Sequence, residues 1–346
     1  MNNNKRKIRV LVVDDSIVFR ETLARQIARD PFLEVVATAS DPYMARDKIL
    51  QFEPDVMTLD VEMPRMSGIE FLKKLIPQYP IPVVVVSAVS GSVFDALNAG
   101  AVDFVTKPDM LCGRGVEAFI SELIVKIKIA STAKVAAQKK TASTVAVNSK
   151  VGLVKQNCMI AVGASTGGTE AIASVLKGFS ANMPGTVIVQ HMPPIFTAMY
   201  AARLNSLCAV EVREAKTGDM ILPGLVLIAP GDYHMRIKPI HNHYMVECVR
   251  GEKVNGHCPA VDVLFHSVAE HVGRNGIGVI LTGMGNDGAS GLLALRKAGG
   301  KTLGQDEGSS VVYGMPKVAF TMGAVQEQVP LNLISRKIYA LVDSRR

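Results

Sequence analysis

Short runs of β-branched residues alternate with amphipathic segments throughout residues 8–128, and this alternation limits the folds open to the chain. The segments between the runs, such as Val18–Ala28 and Ile69–Ile76, have the apolar spacing of helices. Strands that are separated by helices cross over and run parallel, with helices on both faces of the sheet. The sequence therefore predicts an α/β domain with strands at Ile8–Val13, Val35–Ala37, Val56–Leu59, Val83–Val86 and Val102–Val105.

Polar residues follow the predicted strands, at the edge of a parallel sheet where ligands bind. Asp14 and Asp15 follow the first strand, Asp60 the third, Ser87 the fourth and Lys107 the fifth. Carboxylates that meet at one edge repel one another and require a cation, and all-oxygen ligands favour Mg²⁺. The added hydroxyl and ammonium suit a phosphoryl group. A helix cap would explain a single aspartate, but not the whole set.

The same residues stand in motifs that resemble the receiver domain of bacterial two-component response regulators, which has a flavodoxin-like fold. The motifs are Asp14-Asp15-Ser16, Asp60-x-x-Met63-Pro64, Ser87-Ala88 and Lys107-Pro108. The resemblance implies that Asp60 accepts a phosphoryl group from a histidine kinase, and that Asp14, Asp15 and Asp60 hold Mg²⁺. It also implies that Ser87 and Lys107 contact the phosphoryl group and that Phe104 is the switch aromatic.

The composition changes at about residue 129. Ala, Ser, Thr, Lys and Gln dominate residues 129–156, which is typical of a flexible linker. We therefore predict a receiver domain over 1–128, a linker over 129–156 and a second domain over 157–346. The net charge of +7 equals the contribution of seven lysines in and beside the linker, so no nucleic-acid interface is predicted. These lysines are Lys126, Lys128, Lys134, Lys139, Lys140, Lys150 and Lys155.

The segment Ile160–Gly168, IAVGASTGG, opens the second domain. An apolar run ends at Gly163, Ser165 follows, and a helical pattern begins after the glycine pair. The segment fits the G-x-S-x-G nucleophile pattern, in which glycines permit a sharp turn that exposes the serine hydroxyl. The alternatives are a glycine turn that happens to contain a serine and a phosphate-binding loop. Neither G-x-x-x-x-G-K-[ST] nor G-x-G-x-x-G occurs here.

The rest of the second domain continues the α/β pattern. Predicted strands are Thr186–Gln190, Leu225–Ala229 and Ile277–Leu281, with a hairpin at Met235–Ile237 and Tyr244–Val249. Predicted helices are Ile195–Leu204, Val261–Val272, Leu292–Lys297, Tyr313–Phe320 and Leu331–Val342. Both domains are thus predicted to be mainly parallel sheets with helices on both faces, the second one Rossmann-like.

Three strand ends of this domain carry Ser165, His191 and Asp287. A serine hydroxyl needs a base within hydrogen-bonding reach, and the base needs an acid that fixes its tautomer. The strand ends of a parallel sheet converge at one edge, so we expect these side chains to meet. The backbone amides of Thr166 and Met284 are candidate oxyanion donors. This set predicts a serine hydrolase.

Each member of this set has an alternative role. His191 alone fits a hydrogen-bonded loop histidine, and Asp287 alone fits the N-cap of the helix behind it. The chain order of Ser, His and Asp also differs from the Ser, Asp, His order of α/β-hydrolases, so that fold is not predicted. The rival bases are His234, His257 and His266, and the rival acids are Asp232, Asp262 and Asp306. His234 and His266 are expected to be structural, because they fall in the hairpin and in mid-helix.

The second domain resembles the catalytic domain of the chemotaxis methylesterase family, CheB, in the segments GASTGG, QHMP, APGD and TGMGNDGA. The resemblance implies that Ser165 is the nucleophile, His191 the base and Asp287 the orienting acid. It implies hydrolysis of glutamate methyl esters on methyl-accepting chemoreceptors, deamidation of particular receptor glutamines, and phosphorylation by a chemotaxis histidine kinase. Mg²⁺ is expected in the receiver domain, and no cofactor in the catalytic domain. One departure is Ala260, where the family usually has serine.

Two other functional classes are disfavoured. A DNA-binding response regulator would need a helix-turn-helix with a basic face, whereas the second domain is α/β and near neutral. A binding module without activity would not need Ser165, His191 and Asp287 together. No apolar run approaches the length of a membrane span and the segment MNNNKRK lacks a signal-peptide core, which predicts a cytoplasmic protein without membrane insertion. The five scattered cysteines, without a CxxC pair, predict free thiols.

Overall fold

The computed structural model describes residues 6–88, 91–108, 115–135 and 158–344. The chain divides into two compact units, Met1–Thr141 and Ala142–Arg346. This boundary falls within the predicted linker, of which residues 136–156 lie outside the described residues. The domain limits drawn from the sequence stay a prediction. Within the described ranges, no helix has both the length and the apolar character that a bilayer crossing requires.

The first unit is built on a parallel sheet, as predicted for a flavodoxin-like receiver. Its strands are β1 (Ile8–Val13), β2 (Leu33–Ala39), β3 (Val56–Asp60), β4 (Val83–Ser87) and β5 (Asp103–Thr106). Its helices are α1 (Ile17–Ile27), α2 (Pro42–Phe52), α3 (Gly68–Leu75), α4 (Val93–Asn98) and α5 (Val116–Ala130). The strand order is β2-β1-β3-β4-β5. Every residue of β3 and β4 is buried, as expected for strands that are covered on both faces.

The order of the strands reverses at β1, which pairs with β2 on one side and with β3 on the other. Ligands bind at such a switch point, outside the carboxyl ends of the strands. Asp14 directly follows β1, and Asp60 is the last residue of β3. The predicted phosphorylation site therefore lies where the topology of this sheet places a ligand.

The second unit contains a parallel sheet of seven strands and a separate hairpin. Its strands are β6 (Met159–Ala164), β7 (Gly185–Gln190), β8 (Glu211–Glu214), β9 (Leu225–Ile228), β10 (His234–Ile240), β11 (His243–Val249), β12 (Gly276–Ile280), β13 (Lys301–Gln305) and β14 (Glu327–Val329). Its helices are α6 (Gly168–Lys177), α7 (Phe196–Leu207), α8 (Val261–His271), α9 (Ala289–Lys297), α10 (Met315–Thr321) and α11 (Leu331–Asp343). The strand order is β14-β13-β12-β6-β7-β9-β8, and β10 pairs with β11 in antiparallel fashion. The predicted α/β class is confirmed for both units.

The central strand of this sheet is β6, with β7 on one side and β12 on the other. Sequential strands extend the sheet from β6 in both directions, so the switch point lies between β6 and β12. Ser165 follows β6, His191 follows β7, and Asp287 lies in the loop after β12. The three predicted catalytic residues therefore come from adjacent strands.

Three strands were not predicted from the sequence, and two helix starts were misplaced by more than one residue. The missed strands β8, β13 and β14 lie toward the edges of the sheet, and their sequences EVRE, KTLGQ and EQV lack a continuous apolar run. The helix predicted at Leu292–Lys297 begins at Ala289. The helix predicted at Tyr313–Phe320 begins at Met315, and Pro316 lies in its first turn. Proline is favoured there because its missing N–H would have no intrahelical partner.

Candidate functional site

Ser165 stands on a tight turn between β6 and α6. Its backbone N–H donates to the Thr282 carbonyl at 3.0 Å, and its carbonyl accepts from the N–H of Gly168 at 2.7 Å and from Nε2 of Gln190 at 2.9 Å. Gly167 has a φ of +76°, and a Cβ at that position would lie 2.7 Å from the Cβ of Val311. Only glycine fits both the left-handed backbone and the lack of space. The strand–turn–helix arrangement read from the sequence is present, and it fixes the serine backbone on each side.

His191 is held close to Ser165 by the backbone. Its N–H donates to the carbonyl of Ala164 at 3.1 Å, one residue before the serine. Its ring is almost fully buried, and Nε2 lies 2.8 Å from Oδ2 of Asp287. Nδ1 is also buried and has no hydrogen-bond partner among the described residues. Because a carboxylate only accepts, Nε2 carries the proton, which leaves Nδ1 with a free lone pair.

Asp287 is 1% exposed, and each of its carboxylate oxygens accepts two hydrogen bonds. Oδ2 accepts from Nε2 of His191 at 2.8 Å and from the Val261 amide at 2.7 Å. Oδ1 accepts from the Asp262 amide and from Nδ2 of Asn255, both at 3.0 Å. Burial alone would raise the pKa of Asp287, but the hydrogen bonds led by that from His191 lower the pKa to about 2. The carboxylate is therefore ionised at neutral pH.

The alternative in which Asp287 is the N-cap of the helix behind it is wrong, because Asp287 binds the start of a different helix. The N-cap of α9, the helix behind it, is Gly288, which makes no side-chain cap. The carboxylate instead binds the first two amides of α8, Val261 and Asp262, whose partial positive charge favours an anion. In return, Oδ1 of Asp262 accepts from the amide of Gly291 in the first turn of α9 at 2.7 Å. Asp287 thus binds the start of α8, which contains Asp262, and Asp262 binds the start of α9, which follows Asp287.

Three of the other rival residues make hydrogen bonds outside the pair of His191 and Asp287. His234 lies in β10 of the hairpin and His266 lies within α8, as predicted. His234 hydrogen-bonds the carbonyl of Glu252 and the amide of Ala260. His266 hydrogen-bonds the Ser290 hydroxyl, and Asp306 accepts from the amide of Ser309. The exception is His257, whose ring stacks on that of His191 with centroids 3.6 Å apart and planes 11° apart. Sequence reasoning missed this contact, although the Asn255-Gly256 dipeptide before it is a strong turn signal.

The two candidate oxyanion donors lie beside Ser165. The Met284 amide donates to no acceptor among the described residues, and Met284 is half-buried. The carbonyl of Thr166 accepts from Oγ1 of Thr282 at 3.0 Å, which fixes the peptide between Thr166 and Gly167. A Cβ on Gly283 would lie 2.6 Å from the Cβ of Ser165, so a larger residue there would displace the nucleophile. The assignment of these amides stays a prediction.

The acidic edge of the first unit brings Asp14, Asp60 and Lys107 into contact. Nζ of Lys107 donates to Oδ2 of Asp14 at 2.8 Å and to Oδ2 of Asp60 at 2.6 Å. Asp14, Asp15 and Asp60 each offer a carboxylate oxygen, and these oxygens all lie within 4.8 Å of one another. Burial raises the pKa of Asp60 against the opposing effect of Lys107, and the charge of Asp14 raises it further. The set matches the donor chemistry of a hard divalent cation.

The remaining predicted receiver residues are close to this edge or to the strand that leads to it. Ser87 is buried at the end of β4, and its carbonyl accepts from the Lys107 amide at 2.9 Å. Phe104 is buried on β5, with Nζ of Lys126 at 4.9 Å from its ring centroid. Their roles in contacting a phosphoryl group and in switching stay predictions.

Comparison with known proteins gives a consistent result for both units. The family described as "CheB methylesterase" matches residues 160–338, and "Response regulator receiver domain" matches residues 10–111. A protein-glutamate methylesterase/protein-glutamine glutaminase 2 of Syntrophomonas wolfei is 61% identical over 338 residues, which cover 98% of each chain. A protein-glutamate methylesterase/protein-glutamine glutaminase of Salmonella typhimurium is 48% identical over 343 residues, again 98% of each chain.

A solved structure gives the same result for the second unit. The Thermotoga maritima CheB methylesterase catalytic domain is 36% identical and aligns with a TM-score of 0.53, over 54% of this chain and 100% of that one. The resemblance inferred from the motifs is thereby confirmed. The chain belongs to the CheB methylesterase family and carries a response regulator receiver domain ahead of its methylesterase domain.

Proposed function

We propose that this protein is a phosphorylation-regulated serine hydrolase that converts glutamate methyl esters of chemoreceptors into glutamate and methanol. The observation that carries the proposal is the buried pair of His191 and Asp287, held beside Ser165 at the switch point of the sheet. The names of the relatives, methylesterase and glutaminase, support both ester hydrolysis and deamidation of receptor glutamines.

Nδ1 of His191 is the nitrogen that takes the serine proton in this mechanism. Within the described residues it has no hydrogen-bond partner, Ser165 included, while Nε2 is bound to Asp287. The Ser165 oxygen attacks the ester carbonyl as its proton passes to Nδ1, and the amides of Met284 and Thr166 stabilise the resulting oxyanion. The buried charge of Asp287 stabilises the imidazolium that forms.

Collapse of the tetrahedral intermediate expels methanol, which receives the proton from His191. Water then attacks the acyl-enzyme with His191 again as base, and glutamate and Ser165 are released. A glutamine side chain passes through the same kind of intermediate and releases ammonia instead of methanol. One site therefore serves both substrates.

We propose that Asp60 is the phosphoryl acceptor and that Asp14, Asp15 and Asp60 hold Mg²⁺ when it is bound. The proximity of the three carboxylates supports this assignment, because they carry the oxygen ligands that Mg²⁺ prefers. When bound, Mg²⁺ supplies positive charge that neutralises the transferring phosphoryl group. Asp60 offers the attacking oxygen, and Lys107 supplies a second positive charge. The phosphodonor on this proposal is a chemotaxis histidine kinase.

Methanol release from membranes that carry methylated receptors tests the proposed function. We expect basal release from the unphosphorylated protein, and faster release after addition of a phosphodonor with Mg²⁺. EDTA should abolish the stimulation and leave the basal rate unchanged, since the proposed triad uses no metal. Absence of release under both conditions would reject the proposed activity, and loss of the basal rate in EDTA would point to a metallohydrolase.

The lowered pKa of Asp287 implies that the free energy of unfolding depends on pH. Because its pKa falls from 3.8 to about 2 on folding, the charged carboxylate stabilises the fold above about pH 4. This stabilisation, of about 2 kcal/mol, is lost as the pH falls through 2. Urea unfolding followed by circular dichroism should therefore find Asp287→Asn less stable than the wild type at pH 6, with a difference that shrinks toward pH 2. The exposed Glu270→Gln is the control, and a difference independent of pH would contradict the argument.

A further inference from the structure

A tight turn at Val254–His257 lies against the His191–Asp287 pair. The amides and carbonyls of Val254 and His257 exchange two hydrogen bonds of 3.0 Å. Asn255 has a φ of +53° and Gly256 a φ of +84°. Two positive φ values in a two-residue loop describe a type I′ turn, for which Asn-Gly is the preferred sequence. The local sequence therefore determines the geometry of this turn.

The turn directs one side chain to each member of the pair. Nδ2 of Asn255 donates to Oδ1 of Asp287 at 3.0 Å and to Oδ2 of Asp262 at 2.8 Å. The ring of His257 lies parallel to that of His191, with centroids 3.6 Å apart. Stacking at this distance restricts tilting of the His191 ring, while the amide restricts rotation of the Asp287 carboxylate.

His257 is uncharged at neutral pH. Burial, followed by the nearby His191 and Lys253, lowers the pKa of His257 to about 4 against the opposing charge of Asp287. A neutral π face attracts a cation that lies over it, whereas a protonated ring would repel one. His257 can therefore lie against the imidazolium that forms at His191 without opposing its charge.

We infer that the Val254–His257 turn holds the catalytic pair in its productive orientation, with His257 as a positioning residue for His191 and Asn255 as a positioning residue for Asp287. This inference rests on the proposed function, since it assumes that His191 is the base. Neither residue transfers a proton in it. The contribution is geometric, and small errors in the position of a base are costly to catalysis.

The first set of variants tests whether a flat, uncharged ring at position 257 is sufficient for the positioning role, without an ionisable group. We expect His257→Leu and His257→Ala to lower kcat for methanol release by about tenfold to a hundredfold, with KM within about twofold, because the base is misaligned. His257→Phe keeps a flat uncharged ring and should retain most of kcat. His257→Phe as slow as His257→Leu would overturn the stacking role, and a full rate in the alanine variant would show that no positioning is needed.

A second set of variants tests the amide. Asn255→Gly preserves the positive φ and removes only the side chain, so the turn should persist. We expect kcat to fall by about twofold to tenfold, since the other three donors to Asp287 remain. Glu252→Gln, an exposed substitution in the same segment, is the matched control and should keep the wild-type kcat. An unchanged kcat in Asn255→Gly would overturn the role of Asn255.

Ser165→Ala, measured in parallel, distinguishes failure of this inference from failure of the proposed function. An active Ser165→Ala protein would reject the triad itself, and the inference with it. An inactive Ser165→Ala protein together with fully active position-257 variants would reject the positioning role alone.

Discussion

Ser165→Ala is expected to reduce methanol release by about three orders of magnitude or more, because loss of the nucleophile removes the acyl-enzyme route. The backbone bonds that hold the turn involve the amide and carbonyl of Ser165 and the side chain of Gln190, so alanine preserves them. The thermal midpoint should therefore stay close to that of the wild type. Tritiated methanol released from methylated receptor membranes measures the rate.

Two controls accompany this variant. Ser206→Ala removes an exposed hydroxyl from α7 that donates only to the nearby carbonyl of Arg203, and it should keep full activity. Phosphate incorporation into Ser165→Ala should equal that of the wild type, because Asp60 lies in the other unit. Turnover near the wild-type rate in Ser165→Ala would refute the serine mechanism.

Asp60→Asn is expected to reduce phosphate incorporation to background and to abolish stimulation of the esterase. An amide oxygen does not form the acyl phosphate that a carboxylate forms, although asparagine has nearly the same shape. The substitution also removes one of the carboxylates whose oxygens lie within 4.8 Å of one another, and so weakens the predicted Mg²⁺ site. Incorporation of phosphate is measured with labelled acetyl phosphate as the donor, followed by electrophoresis in an acidic gel.

Asp47→Asn is the matched control, since Asp47 lies exposed on α2 beside Arg46. It should take up label and respond to phosphodonor as the wild type does. The basal esterase rate of Asp60→Asn should equal that of the unphosphorylated wild type. Label that persists in Asp60→Asn would place the acceptor at another residue.

The sequence predicts the strands that carry the sites because these strands are buried on both faces. β3, β4, β6 and β7 read as continuous apolar runs, and their ends therefore locate the polar residues that follow them. The missed strands lie toward the sheet edges, where charged residues and glycine replace such runs. Their assignment depends on pairing with neighbours that lie far away in the chain.

The geometry of the His191–Asp287 pair also could not be predicted from sequence patterns. The ring orientation that leaves Nδ1 of His191 free depends on packing around a buried ring. The helix capped by Asp287 begins 26 residues earlier, so the local rule for an N-cap selected the wrong helix. The stacking of His257 was not predicted either, although the Asn-Gly dipeptide that forms the turn before it is visible in the sequence.

The reciprocal caps between Asp287 and Asp262 bear on how such an enzyme loses its activity during evolution. Asp287 ties α8 to the loop before α9, and Asp262 ties α9 to α8, so the acid contributes to the architecture as well as to the chemistry. The side chain of Ser165 has no comparable structural role. In a lineage that lost hydrolysis but kept the domain for binding receptors, we therefore expect Ser165 to be replaced and Asp287 to be retained.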